Sequence, residues 1–224
     1  MSILRIGMNM AVAAILIVAA PTTWGYGGDG HAIVGAIADD LLEGTPASQH
    51  LAPLLKGDTL AHAATWADRV KNAPPDDLEM RDFLRVHKDH KSYHYTDIPI
   101  QETAYRPTSI GAATNDLIQM MGQCIAVLRS TDTNIAQPFN QRIALMLLAH
   151  YVGDVHQPLH VGAAYLNSKN RFVNPNTYHG AYEADSGGNY LLYGSELLHA
   201  YWDDLTYHDG EYYCERCAGD LLYY

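Results

Sequence analysis

Apolar positions recur along most of the chain with a helical rather than an alternating period. In residues 31–42, Ile33, Ile37 and Leu41 fall four apart and predict a helix with an apolar stripe. Residues 59–71 predict a second helix, with Thr59 placed to cap it. A third is expected over 109–129, where Ile110, Leu117, Ile118, Met121, Ile125 and Leu128 keep a 3.6-residue period. Residues 140–157 predict a fourth, ended by Pro158, which disfavours helix at the residue before it. A fifth is expected over 190–205. Strand signals are scarce, and only residues 92–100 read as extended. Residues 161–188 are rich in Asn, Gly, Tyr and Pro and predict one long ordered loop. With no internal repeat and no dividing linker, the expected fold is all-α, a single-domain helical bundle with long loops.

The N-terminus has a different pattern. Arg5 precedes an uninterrupted apolar run over residues 10–20, followed by Pro21-Thr22-Thr23. A bilayer span needs roughly twenty apolar residues, so this shorter run predicts a secretory signal over residues 1–23 instead. The expectation is a secreted or periplasmic protein whose mature domain covers residues 24–224.

Composition narrows the chemistry. The 224 residues are 48% hydrophobic and 17% charged, enough for a packed core and too apolar for a disordered chain. A formal charge of −11 argues against a Lys/Arg surface that grips duplex phosphates. Cys124, Cys214 and Cys217 cannot all pair, so disulfides do not build this fold. Twelve histidines and eighteen aspartates make bound metal the first candidate.

The sharpest anomaly lies in the fourth predicted helix. His150 and Asp154 are four apart, so they share one side of a helix whose other neighbours are apolar all round. A buried carboxylate needs a partner: either a simple hydrogen bond from His150 or a cation. Spacing alone does not choose, because random placement of this many His and Asp gives roughly one such pair. His199 and Asp203 form a second. Other features add weight: His160 in HQPLH beside Pro158, Asp68 beside Trp66 in ATWAD, His94 among aromatics in SYHYTD, and His31 after a glycine-rich lead. Imidazole and carboxylate without thiolate suit zinc in a hydrolytic role. The HExxH string, a Walker phosphate loop and a G-x-S-x-G elbow are all absent from the sequence.

HYVGDVHQPLH, then GGN at Gly187–Asn189, then LLHAYWD, with ATWAD and Trp24 upstream, resembles the zinc-dependent type I nucleases, the S-one/P-one family. The motifs run in the family's order from residue 24 to about 205. The resemblance implies a mostly helical bundle shared with zinc-dependent phospholipases C, and three zinc ions. It further implies cleavage of single-stranded DNA and RNA to 5′-mononucleotides, with 3′-nucleotides as further substrates, by a monomer that does not engage membranes.

Carried over residue by residue, it implies one zinc on Asp68, His94, His150 and Asp154. A second, paired with it, takes His31, the other oxygen of Asp154, and the α-amino group and carbonyl oxygen of Trp24. The third takes His160, His199 and Asp203. Lys71 matches a basic position that neutralises charge on the phosphorane, and Asp97 a carboxylate that orients nucleophile or substrate. Tyr95 matches an aromatic on which a base stacks, and Asn189 a substrate contact. The alternatives for these last residues are a solvated helix end for Lys71 and core packing for Tyr95. His156 is expected to support the structure rather than bind metal. Three zincs would add six positive charges at the site, reconciling the acidic chain with a polyanionic substrate.

The sequence departs from the family pattern in three places. His31 lies seven residues after Trp24, two more than in the usual W-G-x-x-G-H opening. The chain ends 21 residues after Asp203, and Cys214-x-x-Cys217 does not continue the pattern. The stretch between His160 and Gly187 is long. Two other readings stay open at this point: a zinc-dependent phospholipase C, and a non-catalytic zinc-binding protein on the same bundle.

Overall fold

The computed structural model describes residues 27–130 and 138–204. Trp24, Cys214, Cys217 and the apolar run at 10–20 lie outside the described residues. Among these, no helix is long and apolar enough to cross a membrane.

The chain is mostly helical, as expected, and α7 (Gln141–His156) is its axis. Asn140 caps this helix by accepting from Ile143 N, and Pro158 opens the next one, α8 (Pro158–Val161). Six apolar residues of α7, among them Leu145, Met146, Leu147 and Tyr151, are buried on several faces, so the helix packs against neighbours all round. Those neighbours are α1 (Gly28–Leu42), α2 (Pro46–Leu55), α3 (Leu60–Ala63), α4 (Trp66–Arg69) and α6 (Leu117–Arg129). Cys124, Met120 and Val127 from α6, Trp66 and Ala67 from α4, and Met80 and Phe83 from α5 (Leu78–Val86) join the same core.

Several expectations are corrected. The Ile33–Ile37–Leu41 stripe of α1 is not its inner face. Leu41 is 72% exposed, while Gly30, His31 and Gly35 are buried. Gly35 is required there, because a Cβ would lie 2.2 Å from Leu60 O, so α1 and α3 touch backbone to backbone. Residues 59–71 do not form one helix. Thr59 does cap, but Ala64 O accepts from His150 Nδ1 instead of continuing the helical ladder, and the stretch breaks into α3, α4 and a 3-10 turn, Val70–Asn72. The third helix starts at Leu117, not 109, because Asp116 caps it. Its buried face is Leu117, Met120, Cys124 and Val127, one position round from the expected stripe. Helices α2 and α5 are additional to the five expected.

Residues 92–100 are extended only in part: His90–His94 is a 3-10 turn. From Tyr95 onward the chain runs alongside the segment after α8. Ala163 N donates to Ile98 O, and Ile100 N donates to Ala163 O. The expected long loop contains a small antiparallel sheet, β1 (Tyr165–Asn167) between β2 (Phe172–Val173) and β3 (Tyr182–Ala184). The last expected helix is mostly a hairpin, β4 (Leu192–Tyr193) with β5 (Glu196–Leu197), followed by the six-residue α9 (Leu198–Asp203).

Candidate metal centre

Eight His and Asp side chains from six elements meet in the interior. His31 comes from the first turn of α1, Asp68 from α4, His94 from the end of the 3-10 turn, and His150 and Asp154 from α7. His160 comes from α8, and His199 and Asp203 from α9. None is more than 8% exposed. They form three groups whose potential ligand atoms lie within 4.8 Å of one another: His31–Asp68–His150, His94–His150–Asp154 and His160–His199–Asp203.

The hydrogen bonds set which ring nitrogen faces inward. A carbonyl oxygen only accepts, so each Nδ1 bonded to one must carry the proton. His150 Nδ1 donates to Ala64 O at 2.7 Å, His160 Nδ1 to His94 O at 2.8 Å, and His199 Nδ1 to Gly187 O at 2.7 Å. Each bond fixes its ring and turns Nε2 toward the clusters, the outer-shell arrangement that orients a metal-binding imidazole.

Asp154 is the hub. Its Oδ2 lies 3.1 Å from His94 Nδ1 and 3.2 Å from His150 Nε2. Its Oδ1 lies 3.1 Å from His160 Nδ1 and 3.4 Å from His31 Nε2. The rings of His31 and His150 stack 3.6 Å apart.

These residues fit divalent metal. Asp68 Oδ2, Asp154 Oδ1 and His160 Nε2 are buried and make no hydrogen bond, which is costly for polar atoms shielded from water. Burial opposes ionisation of Asp154, but the His150 and His160 charges outweigh it and hold its carboxyl well below the usual range. Burial likewise opposes protonation of those two rings, and Asp154 outweighs it and raises both. The carboxylate therefore draws positive charge, and a cation would compete with those protons. Burial dominates at His94 and His199, lowering each to about 4, so both are neutral imidazoles ready to donate a lone pair.

Of the remaining predicted residues, Lys71 touches the cluster directly. Lys71, in the 3-10 turn after α4, places Nζ 2.7 Å from Asp68 Oδ1, an ion pair rather than a solvated helix end. Tyr95 is 42% exposed, so its ring is not core packing. The Asp97 carboxyl is raised by burial and then by nearby Asp185. Asn189 donates from Nδ2 to Ser186 O at 2.8 Å, and thereby braces the loop whose Gly187 carbonyl orients His199. His156 bonds Val152 O on the outer side of α7, apart from the cluster. Gly27 N donates to Asp203 O at 3.0 Å, tying the start of α1 to α9.

With this geometry in place, comparison with known proteins decides the family. A model of the S1/P1 nuclease family matches residues 26–217. The chain belongs to the S1/P1 nuclease family. Endonuclease 2 of Arabidopsis thaliana is 28% identical over 206 residues, covering 87% of this chain and 60% of that protein. Endonuclease 3 of the same plant is 27% identical over 194 residues, covering 80% and 54%. Nuclease S1 of Aspergillus oryzae is 27% identical over 158 residues, covering 67% and 49%. This S1/P1 chain thus spans about half to three-fifths of the length of these relatives.

Sequence reasoning missed two residues that shape the S1/P1 site. Gly153 sits in α7 where a Cβ would meet His31 Nδ1 at 2.5 Å. A glycine inside a helix costs roughly 1 kcal/mol against alanine, and that anomaly in HYVGD was the available signal. Gly187 adopts φ +61° with Leu159 O only 2.2 Å from where its Cβ would be. A glycine there lets the backbone approach closely enough to present its carbonyl to His199.

Proposed function

We propose that this protein is a secreted or periplasmic zinc-dependent phosphodiesterase that cleaves single-stranded DNA and RNA to 5′-mononucleotides and also acts on 3′-nucleotides. The observation that carries this reading is the convergence of eight buried His and Asp side chains on three adjoining groups, with three imidazoles oriented through backbone carbonyls.

His94, His150, Asp154 and Asp68 would hold one ion, and His31 with the opposite edge of Asp154 and Trp24 a second. His160, His199 and Asp203 would hold a third. Zinc at such donors supplies Lewis acidity and a nucleophile near neutral pH. The protein's own groups do the rest. Lys71, held 2.7 Å from Asp68 Oδ1, keeps a fixed cation beside the cluster to offset charge gathering on the phosphoryl oxygens. Asp97 supplies an acceptor that orients a proton of the nucleophile or substrate. Burial and then nearby Asp185 raise its pKa, which makes its carboxylate a more basic acceptor than an exposed one. The exposed ring of Tyr95, one residue from His94, offers a face to an unstacked base, which a single strand presents and a duplex withholds.

The test is digestion by zinc-loaded protein whose metal content has been measured. Single-stranded DNA and RNA should be degraded to 5′-mononucleotides and intact duplex cut far more slowly. Rapid phosphatidylcholine cleavage with nucleic acids left intact would reject the reading in favour of a phospholipase. Three bound zincs with neither activity would reject it in favour of a non-catalytic protein.

A further inference from the structure

Gln157 stands at the joint between α7 and α8 and is completely buried. Its two polar ends do different work. Oε1 accepts from Leu159 N, which caps α8, the helix that carries His160. Nε2 donates at 2.8 Å to Oδ1 of Asp203, 46 residues further along the chain. Asp203 is the last residue of a six-residue helix, and so short an element fixes its final side chain poorly by itself. In the same cluster, Asp203 Oδ2 lies 3.4 Å from His199 Nε2, and Oδ1 lies 3.8 Å from His160 Nε2.

The choice of an amide is informative. Lysine or arginine at this position would neutralise Asp203 and make a cation redundant. A carboxamide orients the carboxylate and leaves its full negative charge for something else. An apolar side chain would fill the space and leave the carboxylate free to turn.

We propose that Gln157 is a positioning residue for a divalent-metal site on His160, His199 and Asp203. One side chain fixes the Asp203 carboxylate through Nε2 and the helix bearing His160 through Oε1, so two ligands from separate elements share a single brace. Bond by bond, the amide occupies Asp203 Oδ1 and leaves Oδ2 on the His199 side. This inference rests on the reading of that cluster as a zinc site.

Two variants of the full chain separate the two tasks. Gln157→Glu keeps an oxygen to cap Leu159 N but removes the donor to Asp203. Gln157→Leu removes both. Zinc is counted by equilibrium dialysis and its affinity measured by chelator competition, with cobalt absorption as a second signature of each site. In both variants, two ions should bind as in the parent and the third should weaken about 10- to 100-fold, the usual effect of losing an outer-shell partner. The cobalt spectrum of the third equivalent should shift.

Parent-like affinity for all three ions in both variants overturns the proposal alone. Loss in Gln157→Leu without loss in Gln157→Glu also overturns it, by tracing the effect to the helix cap. A parent chain that binds no ion at this cluster overturns it together with the zinc reading beneath it.

Discussion

Gly153→Ala should destabilise the protein, although the same exchange in an ordinary helix stabilises it. Replacing glycine by alanine inside a helix is normally worth about 1 kcal/mol in favour of folding. At Gly153 the new methyl would lie 2.5 Å from His31 Nδ1 and 2.9 Å from its Cε1, well inside the 3.4–4 Å of ordinary contact. The ring cannot simply move away, since it is fully buried and stacked 3.6 Å from His150. Overpacking a fixed site costs about 1–3 kcal/mol. Taking the upper part of that range and subtracting the helix gain leaves a net loss of about 2 kcal/mol. Gly122 in α6 is the matched control, with nothing within 4 Å of its Cβ position. For a domain of this size, about 1 kcal/mol moves Tm by roughly 2–4 °C. Thermal unfolding in chelator should therefore place Gly153→Ala some 4–8 °C below the parent and Gly122→Ala some 2–4 °C above it. If both variants melt above the parent, His31 is not pinned against α7, and the close approach of Gly153 to its ring is wrong.

Other outcomes follow from the same structure. Removing metal should lower Tm by many degrees and zinc should restore it, because the carboxylates of Asp68, Asp154 and Asp203 are buried and an ion bound to the folded chain alone adds its binding free energy to folding; an apo form that melts like the holo form would contradict this. Tyr95→Ala should weaken single-stranded substrates by about 1–3 kcal/mol, or 5- to 150-fold in KM, and leave a small activated phosphodiester unaffected; equal losses on both would remove the stacking role. Burial pushes the Cys124 thiol up to about 12 from an ordinary value near 9. The unfolded chain therefore releases this proton first, so the contribution is intact below pH 9 and stability falls as pH rises toward 12, by at most about 1.4 kcal/mol per pH unit. Denaturation midpoints at pH 8 and pH 10.5 check this, and Cys124→Ala should flatten the decline.

How far the sequence could be read depended on how each element is held. Helix α7 was legible almost to the residue, since an unbroken apolar run between Asn140 and Pro158 carries both its burial and its ends. Helix α5 left too faint a stripe: only Met80 and Phe83 of its nine residues are buried. In α1 the pattern pointed the wrong way. Its inner face is occupied by a histidine that joins the buried His/Asp cluster and by glycines, Gly35 among them permitting close backbone contact, while Ile37 and Leu41 face outward. The break after Ala63 was invisible for a related reason. A carbonyl is diverted to His150, 86 residues away, and no local propensity encodes that. Within the site, His150 and Asp154 announce their partnership through helical spacing. The approach of His31, His94 and His199 to them is tertiary, so only a family likeness suggested it. Gln157 stood in the quoted HQPLH motif, but its contact with Asp203 spans a hairpin and a loop that periodicity does not describe.

The pairing of residues 94–100 with 160–163 bears on how this protein tolerates change in length. His160 donates to His94 O, and Thr96 N donates back to His160 O at 2.8 Å, so the two segments are tied together at the His/Asp cluster. At the other end, Gly187 is held against Leu159 and His199. The excursion between those anchors, with its β1–β3 sheet, is fastened at both feet and contributes none of the eight converging side chains. Chain can therefore be inserted or removed at its tips, between Asn167 and Tyr182, while the spacing between the clusters stays constant. That makes this excursion the natural place for the lineage to vary what meets the centre, and for an engineer to graft a loop.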